Sequence, residues 1–387
     1  METPDYVDWF SNQVIFITGA TGSLGACLLY KLSVKLSTRK IFVLSRRSRE
    51  KSLQTWKRTI PQQLDQVLDT NKLQFVMGDV TKPNLGLSSS DVALLISEVT
   101  VVLHAAGNIN LANEAYDAVI ANTLPALEMT KMAENLPKLT RFVILSSAYV
   151  NAFLPDGPVF ERLYETKGQM ADPFAELDLV MAREKLPVMD EFPWGYAYAK
   201  HLMERLLLWD PRRKFPILFI RPTLIGPAIN QPYPLYGPDQ SIPLNTLARL
   251  YAQSGGGTRV WYSPTGRDAG SNIIDEIPVD LVSNILLLHM VEGSTGIVHA
   301  GAQLYNCRSA RDFTELLRSN LSPSSQSDFP HFAFTHDRSI PQCALADFYH
   351  IGSRDWNFDC SRSERWRHTD GPLSLSLINE GPFILIR

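Results

Sequence analysis

The sequence is short of several things, and each shortage closes a class of function. It has only four cysteines, Cys27, Cys307, Cys343 and Cys360, widely spaced and with no C-x-x-C pair. That pattern gives neither a zinc-ligand set nor a secreted disulfide framework, so no metal is expected and a reducing compartment is the default. It has no excess of one charge. A formal net charge of −3 and the lack of any basic run of five or more give no electrostatic case for nucleic acid or an acidic membrane. No apolar stretch approaches the ~18 residues of a spanning helix, and the longest run near the end, Phe383–Ile386, is far too short. The first residues, Met-Glu-Thr-Pro-Asp-Tyr, have neither the basic nor the apolar region of a signal peptide. A cytoplasmic protein without a transmembrane segment is expected.

What is present is an ordinary globular composition, 45% hydrophobic and 20% charged over 387 residues. Short apolar runs alternate with helical patterns through the first half, which predicts an α/β fold with a doubly wound, Rossmann-like parallel sheet. Strands are expected at Val14–Ile17, Ile41–Leu44, Leu73–Met77, Val101–Leu103, Phe142–Leu145 and Ile217–Ile220. Helices are expected over Ser23–Leu36, Ser88–Ser97, Glu114–Glu134 and Ala197–Leu208. Beyond Arg221, proline and glycine interrupt regular structure. The organisation expected is a cofactor-binding domain over 1–220 and a smaller, mostly C-terminal substrate-binding region over 221–387, interleaved with it. The charged, weakly periodic segment 152–193 reads as a substrate-facing insertion, Ser254–Gly257 as a mobile loop, and the stretch from about Ser322 has no clear pattern.

Gly19-Ala-Thr-Gly22-Ser-Leu-Gly25 directly follows the first strand and opens the first helix. The first glycine permits a tight turn, the second lets backbone approach a pyrophosphate, and the third lets helix pack on strand. The helix N-terminus then faces the phosphate charge. Glycines also mark ordinary turns, and the strand–turn–helix context makes this one a dinucleotide loop. The second strand ends Leu44-Ser45-Arg46-Arg47, where an NAD enzyme usually places an acid. A guanidinium fork there suits the 2′-phosphate of NADPH, although two arginines on a solvated loop are also common.

In Tyr196-Ala-Tyr-Ala-Lys200, positions i and i+4 share a helix face, so Tyr196 and Lys200 can line one site. An adjacent ammonium is expected to move the tyrosine toward the working pH range. Tyr198 is turned away from Lys200. Ser146 and Ser147 end the fifth strand, and a hydroxyl there could steady negative charge on a substrate carbonyl. Ser147, further out, is the choice, although a serine at a strand end is more often a turn former.

With these residues in place the chain resembles the extended short-chain dehydrogenase/reductase family, and within it the fatty acyl-CoA reductase and thioester reductase (male-sterility) branch. The resemblance runs from about Asp8 to about Ser309 and rests on Thr18–Gly25, Gly78-Asp-Val-Thr-Lys-Pro-Asn-Leu-Gly-Leu-Ser88, Val101–Ala106, Leu145-Ser-Ser-Ala-Tyr-Val-Asn151, Ile220-Arg-Pro-Thr-Leu-Ile-Gly226 and Ile277-Pro-Val-Asp280. It implies NADPH held by Gly19, Thr21, Gly22, Ser23, Leu24, Gly25, Arg46 and Arg47. It further implies Asp79 and Val80 at the adenine, Ala105 and Ala106 beside the cofactor, and Asn122 as a buttress. Pro222 and Leu224, with Tyr196 and Lys200, complete the implied cofactor contacts. Ser147, Tyr196 and Lys200 would be catalytic, whereas His104 reads as a packed histidine. The implied activity is NADPH-dependent reduction of an acyl thioester, on coenzyme A or a phosphopantetheine carrier protein, to an aldehyde or on to the alcohol. Two other readings fit the same residues: a ketone or alcohol dehydrogenase or sugar-nucleotide enzyme on this scaffold, and a non-catalytic NADP-binding sensor.

Overall fold

The computed structural model describes residues 6–209, 213–238, 241–253, 255–321, 326 and 329–375. Ser254 of the expected loop, the first residues after Leu321 and the run Phe383–Ile386 lie outside the described residues.

Seven parallel strands make the central sheet: β1 Val14–Thr18, β2 Lys40–Ser45, β3 Leu73–Met77, β4 Val101–His104, β5 Arg141–Leu145, β6 Ile217–Pro222 and β7 Gly296–Ala300. Their order across the sheet is β7-β6-β5-β4-β1-β2-β3. The six expected strands are present. The seventh was not foreseen, and it pairs with β6 from Gly296↔Leu218 to Ala300↔Pro222, so chain well beyond residue 220 returns to the sheet.

The strands are apolar on both faces because both faces are covered. Ile15, Ile17, Ile41, Val43, Val143 and Ile220 pack with the helices Ser23–Tyr30 and Val279–Glu292. Their alternate neighbours Phe16, Phe42, Val102, Phe142, Ile144 and Phe219 pack with Met129 and Met203 of the helices on the other side.

Two expected helices carry a π-helical turn, at Lys31–Lys35 and at Val119–Thr123. The segment between β2 and β3 forms two helices not foreseen, Arg49–Thr59 and Leu64–Asp69.

The insertion has its own structure: a short strand Gly157–Val159, a helix Pro173–Met181 and a 3-10 turn Pro187–Glu191. Its strand pairs with Trp356–Phe358, from the patternless end of the chain. Likewise His331–Thr335 pairs with Thr258–Tyr262. A separate aromatic core joins these parts, with Tyr149, Trp194, Tyr251, Trp261, Trp356 and Phe358 among its members. It sits at the carboxyl edge of the sheet, where open α/β folds bind their ligands.

Candidate active site

The order of strands reverses between β1 and β4, and the loops leaving these two strands meet there. Gly19 has φ +73°, and a Cβ on it would lie 2.5 Å from Ala106 N and 2.6 Å from Ala105 O. A Cβ on Gly25 would lie 2.0 Å from Gly19 O, so the first and third glycines are required by close backbone approach. Gly22 caps the helix Ser23–Tyr30 without a capping side chain, which leaves the first-turn N–H groups uncovered on that count. Ser23 Oγ is buried there with no hydrogen-bond partner. A cradle of backbone N–H groups with an orphaned hydroxyl fits a pyrophosphate. Trp56, from the unforeseen helix, anchors the loop by donating to Ala20 O at 2.9 Å.

Beside this loop lies a cavity of about 420 Å³ lined by Thr21, Ser45, Arg46, Arg47, Lys51, Ser52, Gln54, Thr55 and Arg58. Four of its lining residues are cationic and none is acidic. Lys51 and Arg58 escaped the sequence reading, although their seven-residue spacing puts them on one face of Arg49–Thr59. A cavity so lined suits an anionic group such as a phosphate.

Asp79 follows β3 in a loop whose shape explains its motif. A Cβ on Gly78 would meet Leu85 O at 2.4 Å, and Asn84, Leu85 and Gly86 all have positive φ. The Asp79 carboxylate accepts Thr81 N at 3.0 Å and Thr81 Oγ1 at 2.9 Å. Burial alone would raise its pKa, but the Thr81 hydrogen bonds, with Arg46 and Lys82, outweigh it and hold it below the usual range. Val80, next in the loop, packs half-buried against the sheet core.

Across the crevice the helix Gly195–Trp209 carries the tyrosine and the lysine. Lys200 Nζ donates to Leu145 O at 2.9 Å, at the end of β5. Burial lowers its pKa to about 8, opposed by the negative charge of Glu204. Tyr196 is hydrogen-bonded to Ser147. Burial drives the Tyr196 pKa up to about 12, and the Ser147 bond pulls it back only in part. The expected lowering by the Lys200 ammonium is absent, because that ammonium is turned to a backbone carbonyl. Tyr196 is therefore a protonated phenol at neutral pH, the form that can give a proton.

Ser147 Oγ also accepts Tyr149 N at 3.2 Å, so it caps the short turn Ala148–Asn151 besides facing the tyrosine. Tyr198 is turned away, as its helix position predicts, and donates to Glu176 Oε1 at 3.0 Å. Glu176 in turn is paired with Arg205 at 2.7 Å. His104 is buried, hydrogen-bonded to Thr18 Oγ1 at 2.9 Å, and held neutral by burial at a pKa of about 3.

Asn122, on the π-helical turn, accepts from Asn108 N at 3.0 Å and donates to Asn108 O at 3.1 Å. This fixes the chain leaving β4 after Ala105 and Ala106. Gly107 within it was overlooked: a Cβ there would lie 3.1 Å from Asn122 Oδ1 and 3.6 Å from Lys200 Nζ. Pro222 and Leu224 stand at the same edge, with Thr223 N bonded to Ala300 O and Leu224 N to Asp275 O. Among the described residues no group of three or more His, Cys, Asp or Glu side chains could hold a metal ion. No helix of the described residues is long and apolar enough to cross a membrane.

With this geometry in hand, the family model of the male sterility protein matches residues 17–286, more than half of the chain. The chain belongs to the male sterility protein family. The chain is similar to fatty acyl-CoA reductase 2 of Homo sapiens, 26% identical over 302 residues that cover 72% of this chain and 54% of that protein. Fatty acyl-CoA reductase 1 of Mus musculus is 24% identical over 374 residues, covering 89% of this chain and 70% of that protein. The chain thus spans roughly half to two thirds of the length of such relatives. Among solved structures, the terminal R domain from the myxalamid PKS-NRPS biosynthetic pathway superposes with a TM-score of 0.59 at 20% identity, over 83% of this chain and 72% of that one. The yeast methylglyoxal/isovaleraldehyde reductase Gre2, complexed with NADPH, gives 0.59 at 14% identity, over 93% of this chain and 94% of that one. The male-sterility family and the Rossmann-like reductase fold make this an NAD(P)-binding protein.

Proposed function

We propose that the chain reduces an acyl thioester with NADPH, releasing a thiol and an aldehyde, with reduction of the aldehyde to the alcohol as a second step. The observation that carries this reading is the Ser147–Tyr196 hydrogen bond, held beside a Lys200 that is tied to the end of β5. Bound NADPH would supply the hydride. Ser147 and the Tyr196 hydroxyl would hold the carbonyl oxygen as negative charge grows on it. Tyr196, kept protonated by burial, would give its proton to the alkoxide when an aldehyde is the substrate. Lys200, largely an ammonium at neutral pH and tied to the Leu145 carbonyl, would hold the nicotinamide ribose of the cofactor. Arg46 and Arg47, with Lys51 and Arg58, would choose NADPH over NADH.

Support for the thioester comes from the relatives named as fatty acyl-CoA reductases and from the fold shared with an R domain. The test is a panel of acyl-CoAs and acyl carrier proteins with NADPH, followed by nicotinamide absorbance together with free thiol. Thiol release matched to NADPH oxidation supports the reading. Brisk ketone reduction with no thiol from any thioester overturns it in favour of a small-carbonyl reductase, a reading favoured by the near full-length overlap with yeast Gre2.

A further inference from the structure

The helix Gly195–Trp209 presents Tyr196, Lys200 and Glu204 at four-residue steps, so the three stand in one row. Glu204 reaches into the sheet. Its Oε1 accepts Ser146 Oγ at 2.5 Å and Arg221 Nε at 2.9 Å, and its Oε2 meets Arg221 Nη2. Arg221 Nη1 then donates to Arg162 O at 3.0 Å. The side chains of both Glu204 and Arg221 are completely buried.

A buried ion pair is weak evidence for stability, since an apolar pair of equal volume is often as stable. Its partners here point to another use. Ser146 directly precedes Ser147, Arg221 directly precedes Pro222, Lys200 is one helical turn away, and Arg162 lies in the insertion. We propose that Glu204 is a positioning residue, a single buried carboxylate that ties the Tyr196–Lys200 helix to the carboxyl ends of β5 and β6 and so holds Lys200 and Ser147 in register. This rests on the reading of Ser147, Tyr196 and Lys200 as the reducing set.

The charges around the row are few. Lys200 is faced by His104 from β4, which is neutral, by the Leu145 carbonyl from β5, and by Glu204 on its own helix. Glu204 is faced by Arg221 from β6 and Ser146 from β5, with His201 and Arg205 beside it on the helix. His201 is neutral, held by burial at about 4, with its Nε2 on Tyr164 O. Arg205 is committed to Glu176. His299 of β7 lies behind Arg221, 3.5 Å from its Nη1, and is neutral too. Glu204 is thus the negative charge that acts on Lys200.

Glu204→Gln keeps the shape and an acceptor for Ser146 but removes the charge. It should lower kcat roughly 10- to 100-fold, the scale of a slightly misplaced reacting group, with KM for NADPH nearly unchanged. The alkaline limb of kcat should move to lower pH, because the ammonium form of Lys200 loses the charge that favours it. Ser146→Ala removes one hydrogen bond and leaves the ion pair. It should lower kcat by a smaller factor and leave the alkaline limb in place. The titration of Lys200, about 8 in the parent, can also be followed without turnover by its pH-dependent acylation and peptide mass. A wild-type protein that reduces no carbonyl substrate defeats the reading of the reducing set. A Lys200 titration identical in Glu204→Gln and wild type, or wild-type kcat and pH limb with lowered thermal stability alone, overturns the positioning role. If Glu204→Gln fails to fold, kcat and KM of Ser146→Ala decide: unchanged values overturn the proposal.

Discussion

The sheet body and the substrate side are built by different means. In the sheet, most strands are short apolar runs paired with neighbours through parallel ladders, and helices cover both faces. On the substrate side the strands are pairs of two to five residues, and rings do the joining. Tyr149 alone meets Trp194, Trp356 and Phe358 edge-on at centroid distances of 6.3, 5.9 and 5.6 Å. The first region needs local pattern, the second needs specific partners far away in the chain. The first can therefore tolerate changes of loop, and the second cannot tolerate loss of a ring.

The largest effect should test that contrast. Trp356→Ala removes a buried indole that meets Tyr149 edge-on and donates to Leu154 O at 3.1 Å. It should lower stability by about 3–5 kcal/mol. Hydrogen exchange should locate the loss in 157–193 and 331–375, and equal loosening of β1 and β4 would show that the two regions unfold as one unit.

Next comes Tyr196→Phe, which should reduce aldehyde turnover by at least ~10²-fold with the fold intact. Lys200→Met should act likewise and also weaken NADPH binding. The control is Tyr198→Phe. Its helix position alone predicts a silent change, and for turnover that stands as the expectation. Its hydroxyl, however, is buried on Glu176, so about 1–3 kcal/mol of stability should be lost. A kcat loss in Tyr198→Phe equal to that in Tyr196→Phe would exchange the two tyrosines' roles.

Smaller still, Arg46→Ala should raise KM for NADPH roughly 10-fold, the scale of one charge-assisted contact, and leave NADH nearly unchanged. Lys51→Ala and Arg58→Ala should do so more weakly. Equal losses with both cofactors would remove the cavity from cofactor choice.

The smallest effect concerns pH and has opposite signs in the two regions. On the substrate side burial raises Glu161 to about 7, Asp275 to about 6 and Glu276 to about 7. An acid raised in the folded state adds stability at low pH that is lost as pH rises through its folded value. In the sheet body burial holds His104 and His299 neutral at about 3. A depressed histidine adds stability at high pH that is lost as pH falls from about 6.5 toward its folded value. Hydrogen exchange should find the substrate side loosening between pH 4 and 7, and the sheet loosening below 6.5. The same sign in both regions would deny the contrast.

This division also explains what could be read in advance. β1 was legible because its five residues are all buried, an unbroken apolar run closed by Thr18 and Gly19. β7 was not, because Gly296 and His299 break its run, and the buried His299 ring is held by a bond to Asp359 O. The helix Arg49–Thr59 is largely polar and offers the core just two apolar side chains, buried Trp56 and half-buried Leu53, so it has little periodic signal. At the site, the glycine loop and the Tyr196–Lys200 pair are local spacings and could be seen. Lys51 and Arg58 share a helix face by spacing, but their meeting with Arg46 and Arg47, like Gly107 and the Glu204–Arg221 pair, depends on contacts between separate segments. The fall of Tyr196 toward neutral pH was expected from its neighbour, and burial decided otherwise.

The pairing of Gly157–Val159 with Trp356–Phe358 carries a consequence for how the protein is made. Arg354 Nη2 reaches Leu154 O across 200 residues of chain. On a ribosome adding about 5–20 residues per second, the insertion must wait roughly 10–40 s for its partner strand. During that interval the apolar residues flanking it, Tyr149 and Trp194, are made but lack the rings of Trp356 and Phe358. A nascent chain halted near residue 330 should therefore recruit a chaperone that a chain carried past Trp356–Phe358 and released does not.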